Sequence, residues 1–408
     1  MVKGFKVKKY CRCCKSKDLL MYLDLGKQPL ANSYHKGIKL PEFPLEVMLC
    51  RRCFHSQLSV VVEPELLFKT YLYVSGTTQT FRKHCRDLAE NAIKRVNSGK
   101  VSVLDIACND GTQLEYFRDL GCSVWGVDPA ENLRKITRKK DIAVVVDYWT
   151  TKLAVRMGKK FDLITGTNVF AHVDDLDEFL SAVKLVLNKN GILILEFPYA
   201  KEMIKNNEFD TVYHEHLSYF TVNSFKTLIE RMGFTIIDVL QTSIHGGSIR
   251  FFVSKDEKKQ TKKIDNLIKE EKLRGLLAKR TYLDFSKRVK KNKNDLIKLI
   301  SKLKTREEKV IGYGASAKGN TMLNYFKVDL DYVVDDNPLK WGYLTPGRNI
   351  KILNPQYLSK EKHSLSIVIL SWNFYQEIAR KILKLRQNTK DRAILYVPKV
   401  VTKLLNNY

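Results

Sequence analysis

The stretch Val101-Ser102-Val103-Leu104-Asp105-Ile106-Ala107-Cys108-Asn109-Asp110-Gly111-Thr112 carries the fold. Residues 101–107 form a nearly unbroken apolar run, the pattern of a strand covered on both faces, and the run ends in a short polar turn. The alternation then repeats. Ser123 to Val127 reads as a second strand ending in Asp128, with Ile142 to Val146, Phe161 to Thr165 and Gly191 to Phe197 as the next three. Amphipathic helical segments such as Leu176 to Leu187 lie between them. This order predicts an α/β unit with a mostly parallel sheet and helices on both faces. Thr235 to Leu240 and Gly247 to Val253 are joined too closely for a crossover, so they are expected to form a closing antiparallel pair.

The turn after the first strand selects the ligand. A dinucleotide fold would place G-x-G-x-x-G here to bring a diphosphate onto the backbone. Only Gly111 is present, and an acid, Asp105, opens the turn. A cofactor without phosphate but with a cationic amino-acid end suits this chemistry better. Asp105 would face its ammonium, and the backbone of Ala107, Asn109, Asp110 and Gly111 would pass its carboxylate. Asp128, ending the second strand, is placed to accept ribose hydroxyls, and Asn168 lies at the same carboxyl edge, where open α/β sheets bind ligands. The plainer alternatives are that Asp105 is only a turn residue and that Asp128-Pro129 only starts a helix.

Eight cysteines are spread unevenly along the chain. Cys11-Arg12-Cys13-Cys14 and Cys50-Arg51-Arg52-Cys53 form two C-x₂-C knuckles within the first ~70 residues, which read as short and loop-rich. Without a secretory signal a disulfide framework is disfavoured. Cys11, Cys14, Cys50 and Cys53 are expected to hold one tetrahedral Zn²⁺, structural because four thiolates leave no open position. The long interval between the knuckles requires a hairpin or loop, and Cys13 and His55 are close enough to replace a ligand. Four unrelated reduced cysteines are the alternative.

Ser254 to Lys309 is rich in Lys, Glu and Leu/Ile, with apolar residues at helical spacing (Ile264, Leu267, Ile268; Leu296, Ile297, Ile300, Leu303), which predicts long helices joining two domains. A second alternating unit follows. Val310 to Tyr313 runs into Gly314-Ala315-Ser316-Ala317-Lys318-Gly319. Tyr332 to Val334, Leu365 to Ser371 and Ala393 to Val397 are expected to complete a small parallel sheet. Lys318, opening a helix after a Gly-rich turn, can meet a diphosphate; the alternative is a turn kept for packing, with Asp335 as a relic of the fold.

The net charge of +27 rests mostly on dispersed lysine with few Arg–aromatic clusters, so a lysine-rich solvated surface is preferred to a nucleic-acid footprint. No apolar run reaches the ~18 residues that span a bilayer. Met1 to Tyr10 lacks the apolar core of a signal peptide, so cytoplasmic residence without membrane contact is expected.

After the fifth strand comes Asp210-Thr211-Val212-Tyr213-His214-Glu215-His216-Leu217-Ser218-Tyr219-Phe220. Two histidines and a glutamate flanked by tyrosines, beyond a carboxyl edge, suit general acid–base work because His titrates near neutrality and Glu can orient it. His172 and His245 can join from neighbouring loops. Zinc binding through H-x-H and a purely structural loop are the competing readings.

Together these residues resemble the nucleotide-sugar C-methyltransferases of deoxysugar pathways, typified by enzymes that methylate C-3 of TDP-4-keto-deoxysugars. The resemblance spans nearly the whole chain. It rests on the four cysteines with Gln28-Pro29-Leu30-Ala31-Asn32, on Tyr71-Leu72-Tyr73-Val74-Ser75 leading to His84, and on Asn109-Asp110-Gly111-Thr112. Tyr213-His214-Glu215-His216, Gly312 to Gly319 and Asp335-Asp336-Asn337 extend it.

The resemblance implies a class I methyltransferase with a Rossmann-like seven-stranded sheet. The expected boundaries are 1–72 for a zinc-binding domain, 73–254 for the catalytic domain, 255–308 for a helical linker and 309–408 for a smaller Rossmann-like substrate-binding domain. It implies S-adenosylmethionine and structural Zn²⁺ as cofactors, and a TDP- or other NDP-4-keto sugar as the small-molecule partner of a monomer or homodimer. His216 would be the base, assisted by Glu215 and Tyr213, with His172 lining the sugar pocket and Tyr73 reaching in. Lys318, Gly314 and His245 would contact substrate. Ala107 departs from the family's usual Gly, and Thr77 and Thr78 replace commoner serines. A sugar O-methyltransferase and an RNA methyltransferase using the zinc module and basic surface are the alternative functions.

Overall fold

Val103 points into one hydrophobic core while Leu104 and Ile106 point into another, so the opening run is a strand buried on both faces. The computed structural model describes residues 4–68, 76, 78–96, 99–256, 260–386 and 390–405.

The amino-terminal part contains β1 (Phe5–Val7), β2 (Leu19–Pro29), β3 (Glu42–Cys50), β4 (Ser56–Leu58) and β5 (Val60–Val62). β2 and β3 pair antiparallel as the hairpin that the knuckle spacing requires, while β1 pairs with β5. The segment is more strand than loop: β2 alone has 11 residues, with register shifts against β3 between Met21 and Leu23 and between Asp24 and Lys27.

The central sheet contains β6 (Ser102–Ile106), β7 (Ser123–Val127), β8 (Val144–Val145), β9 (Phe161–Thr167), β10 (Leu187–Pro198), β12 (Thr235–Thr242) and β13 (Ser248–Ser254). Its order is β12-β13-β10-β9-β6-β7-β8. β6, β7, β8, β9 and β10 run parallel, and β13 lies antiparallel to both β10 and β12, as the short connection demanded. The chain starts at β6 in the middle and winds first toward β8, then back through β9, so the switch point lies between β6 and β9. The crevice beyond the carboxyl ends there is the ligand position of such sheets. β11 (Ser218–Tyr219) leaves this sheet and pairs with β4, tying the catalytic half to the amino-terminal part.

The last sheet contains β14 (Lys309–Tyr313), β15 (Val333–Val334), β16 (Ile352–Leu353), β17 (Leu365–Ile369), β18 (Arg392–Leu395) and β19 (Val401–Leu404), in the order β16-β15-β14-β17-β18-β19. The four expected strands are present, flanked by two further edges. β19 runs antiparallel, so the sheet is mixed rather than parallel. The helix Lys279–Thr305 buries Tyr282, Phe285, Val289 and Leu296 in one core with Leu23 and Leu25 of β2 and with Val310, Leu323 and Phe326. A second core joins the zinc-knuckle cysteines to Phe170, Phe197 and Phe220 of the central unit. The three larger of the four sheets are therefore welded by shared apolar surface. No helix among the described residues is long and apolar enough to cross a membrane.

Candidate active site

Both knuckles close in the same way. The carbonyl of Cys11 accepts from the N–H of Lys15, and that of Cys50 from the N–H of Phe54, with Lys15 (φ 61°) and Phe54 (φ 56°) both left-handed. These matched turns bring the sulfurs of Cys11, Cys14, Cys50 and Cys53 within 4.8 Å of one another. Cys13 and His55 stay outside the set; His55 Nε2 lies 3.3 Å from Ser218 Oγ. Four thiol sulfurs at this spacing are the donor set of a closed tetrahedral zinc site. The site is docked on the central unit, where Arg231 Nε donates to Cys13 O and Asn223 Nδ2 to Cys53 O.

At the switch point Asp105 is buried and accepts from Thr165 Oγ1 at 2.6 Å. Burial pushes its carboxyl up to about 7; the Thr165 hydroxyl opposes this, while Asp128 and Asp110 add to it. Ala107 (φ 60°), Asn109 (φ 51°) and Gly111 (φ 76°) are all left-handed, giving a tightly coiled turn in which only Gly111 is free of side-chain strain. Asp128 accepts from the backbone N–H of Asn109 (2.8 Å) and of Ala130 (2.9 Å), so it braces the turn while each oxygen keeps a further lone pair. Asp110 turns inward to Thr112 and the N–H of Gly76, which makes it a bracing residue of the helix start. Asn168 is left-handed (φ 57°), and its buried Oδ1 has no hydrogen-bond donor among the described residues.

The loop after β10 gathers the acid–base candidates. His216 Nδ1 donates to Thr211 O at 2.8 Å, which in the neutral ring selects the Nδ1–H tautomer and leaves Nε2 to accept from the Tyr213 hydroxyl at 2.7 Å. The His172 ring centroid is 4.9 Å from that of His216, and burial pushes His172 down to about 4, so it is neutral at pH 7. Glu215 is buried and accepts from Asn32 Nδ2 at 2.6 Å. His214 turns the other way, its Nε2 3.3 and 3.2 Å from the carbonyls of Phe43 and Pro44, and serves the hairpin rather than the cleft. His245 lies in the turn Ile244–Gly246 between β12 and β13, at the same sheet edge. Tyr73 lies outside the described residues, as do Tyr71, Leu72, Val74, Ser75 and Thr77.

Several partners were not signalled by the sequence. Asp210 Oδ2 accepts from both Trp372 Nε1 and Tyr396 OH at 2.7 Å, so the carboxyl-terminal sheet grips the segment that carries Thr211. Burial pushes Glu208, two residues earlier, up to about 7, with Lys318 opposing. His84 Nε2 meets Glu196 Oε1 at 2.5 Å, and Arg250 Nε donates to Oε2 at 2.7 Å. Burial raises Glu196, but His84 and Arg250 outweigh it and hold the group below its usual range. Local acidity in Glu208-Phe209-Asp210 was the sequence cue for the first two, and the family resemblance had marked His84 without its partners.

The Gly-rich turn after β14 is closed rather than cradle-like. A Cβ at Gly314 would meet Ser371 Oγ at 2.4 Å, and one at Gly319 would meet Leu370 Cβ at 2.7 Å, so both glycines permit close packing. Lys318 is 4.6 Å from the Trp372 ring centroid and within electrostatic reach of Glu208 and Asp210, which already balance its charge. Asp335 takes the N–H of Asn337 and faces Lys340, an internal use.

Profiles for a zinc binding domain, a methyltransferase domain and a C-methyltransferase C-terminal domain match residues 11–68, 77–239 and 243–398 in turn. C-methyltransferase NovU of Streptomyces niveus is 32% identical over 384 residues, which span 90% of this chain and 90% of that protein. The chain belongs to the C-methyltransferase family. Ubiquinone biosynthesis O-methyltransferase of Bartonella bacilliformis is 33% identical over 100 residues, 23% of this chain and 40% of that enzyme. An S-adenosylmethionine-dependent methyltransferase structure from Clostridium acetobutylicum is 16% identical with a TM-score of 0.35, covering 42% of this chain and 91% of its own. This C-methyltransferase uses S-adenosylmethionine and carries a zinc-binding module. Its residues suit both groups: four sulfurs converge for the metal, and Asn168 Oδ1, buried with no donor among the described residues, lies just past the carboxyl end of β9 at the switch point.

Proposed function

We propose that this C-methyltransferase methylates a carbon next to the ketone of a nucleotide-linked 4-keto-(deoxy)sugar, at C-3, with His216 as the base. The observation that supports this most is the polarised imidazole: Thr211 O holds the Nδ1 proton, which directs the basic Nε2 lone pair at the Tyr213 hydroxyl. Carbon is a poor nucleophile until its α-proton leaves. In this reading His216 Nε2 receives that proton, the C–H electron pair moves onto the ketone oxygen as an enolate, and neutral His172 adds no competing positive charge. Bound S-adenosylmethionine supplies the electrophilic methyl. Asp105 takes its ammonium, the backbone around Asn109 to Gly111 its carboxylate and Asp128 its ribose hydroxyls, while Glu215 and Tyr213 orient the sugar. The chain's main task is alignment within attack distance. Lys318 could contact a diphosphate only in competition with Glu208 and Asp210, so it is assigned to the far wall of the cleft with Gly314, and His245 to its rim.

His216→Ala should abolish methyl transfer to a panel of nucleotide 4-ketosugars while S-adenosylmethionine still binds; near-normal turnover removes His216 from the base role. Wild-type protein without cofactor should exchange deuterium from solvent at the carbon beside the ketone. Methylation without that exchange would instead favour an oxygen acceptor.

A further inference from the structure

Glu215 is held from another part of the chain. The loop Leu30 to Tyr34 follows β2 and is closed by Ser33 N–H to Leu30 O and Tyr34 N–H to Asn32 O. Its tip presents Asn32 Nδ2 to Glu215 Oε1 at 2.6 Å, across 183 residues of sequence. The back of the loop is fastened to the carboxyl-terminal sheet. Buried Asn320 donates through Nδ2 to Ala31 O at 2.8 Å, and Tyr34 OH donates to Ala315 O at 2.5 Å. It continues directly from β2, whose other end pairs with the zinc knuckle, Leu19 opposite Cys50. The amide is therefore mounted on a loop tied to the carboxyl-terminal sheet and continuous with the zinc-bearing hairpin.

The chemistry of the contact is specific. A neutral amide N–H given to a buried carboxylate orients it without adding charge. Glu215 is adjacent in sequence to His216, and the same hairpin receives His214 through the carbonyls of Phe43 and Pro44. Two successive residues of the loop are thus registered against the zinc-bearing hairpin.

We propose that Asn32 is a positioning residue for methyl transfer, through which the zinc-binding module sets the Glu215 carboxylate beside His216. This rests on the roles given above to His216 and Glu215.

The test is a double-mutant cycle with a TDP-4-keto-6-deoxyhexose and S-adenosylmethionine. Asn32→Ala should lower kcat about tenfold or more, while zinc content and the KM for S-adenosylmethionine stay within about twofold of wild type. In a Glu215→Gln background the same change should cost no more than about twofold, because Asn32 acts through Glu215. Equal losses in both backgrounds, or no loss in the single variant, overturn the proposal. If Asn32→Ala comes out zinc-poor, Asn32→Ser serves in its place. A crystal structure of the variant gives a readout independent of substrate. The Glu215 carboxylate should move by about 1 Å or more, a displacement large enough to matter for catalysis, and an unmoved carboxylate refutes the positioning role. If wild-type protein methylates no nucleotide 4-ketosugar, the substrate reading fails, and the carboxylate position still decides the case of Asn32.

Discussion

Asp105 offers a quantitative handle on the cofactor site. Its folded-state value, raised by burial to about 7, means that much of the cofactor-free protein carries a protonated Asp105 near neutrality. On the proposed assignment the Asp105 carboxylate holds the cofactor's cationic amino-acid end, so binding must expel that proton whenever the pH lies below about 7. The sign follows: affinity rises with pH up to about 7 and then levels. Between pH 7.0 and 5.5 the fraction ionised falls from about one-half to about 3%, so the dissociation constant should rise about fifteenfold. The window ends at pH 7 because a free α-amino group titrates just above it. Calorimetry with S-adenosylhomocysteine, which keeps the amino-acid end, in buffers of different ionisation enthalpy should show release of about one proton at pH 5.5 and about half at pH 7.0. Asp105→Asn should bind about tenfold or more weakly at pH 7 and show no slope in this window. A flat profile in wild-type protein, or the same slope in Asp105→Asn, refutes the assignment. A second consequence has the opposite sense. The folded value lies above the unfolded one, so the stability that this group contributes without cofactor is complete below about pH 4 and is lost as pH rises through about 7.

Two further perturbations probe the frame. Stripping zinc should lower the melting temperature and reduce methyl transfer although the metal has no catalytic position, because structural zinc sites contribute roughly 10–16 kcal/mol and the four cysteines tie off the β2–β3 hairpin, at whose far end lie Phe43, Pro44 and the loop of Asn32; zinc-free protein with full activity and unchanged melting would contradict this. Gly111→Ala places a Cβ 2.8 Å from buried Ile142 Cδ1 at a φ of 76°. Left-handed strain of about 1–2 kcal/mol and overpacking of about 1–3 kcal/mol should together destabilise the protein by about 2–5 kcal/mol in chemical denaturation, and a loss below about 0.5 kcal/mol would show that the turn relaxes freely.

What the sequence made legible was local. β7 spans Ser123–Val127 as its apolar run and the acid at its end imply, and β6, β9, β10, β12 and β13 fall within a few residues of their runs. The two C-x₂-C knuckles read correctly because a metal turn is encoded within four residues. β16 and β19 were missed for opposite reasons. Ile352–Leu353 is too short to show a period, and Val401–Leu404 is a largely exposed edge whose lysine hides it. Contacts between distant segments left no trace: nothing in the spacing says that Trp372 and Tyr396 meet Asp210, or that Lys318 faces two carboxylates rather than open solvent. Gly314 was visible as a glycine, but the packing against Ser371 that requires it was not.

The loop between Glu208 and His216 explains why this catalytic unit is not a free-standing sheet. Glu208, Asp210, Thr211, His214, Glu215 and His216 are all buried, and each buried polar group left without a partner costs about 1–3 kcal/mol. Within the loop, Thr211 Oγ1 donates to Glu208 O, and Tyr213, His216 and Thr211 O form a chain of their own. Asp210 depends on Trp372 and Tyr396 from one flank, and Glu215 and His214 depend on Asn32, Phe43 and Pro44 from the other. Removing either flank would strand at least one buried ionisable group, at a cost that is a sizeable share of the ~5–15 kcal/mol by which domains are stable. An oxygen acceptor can be methylated beside a solvated base, because a hydroxyl proton is lost easily. A carbon acid needs its base dry, neutral and fixed in one tautomer. A buried loop held on both sides meets that demand.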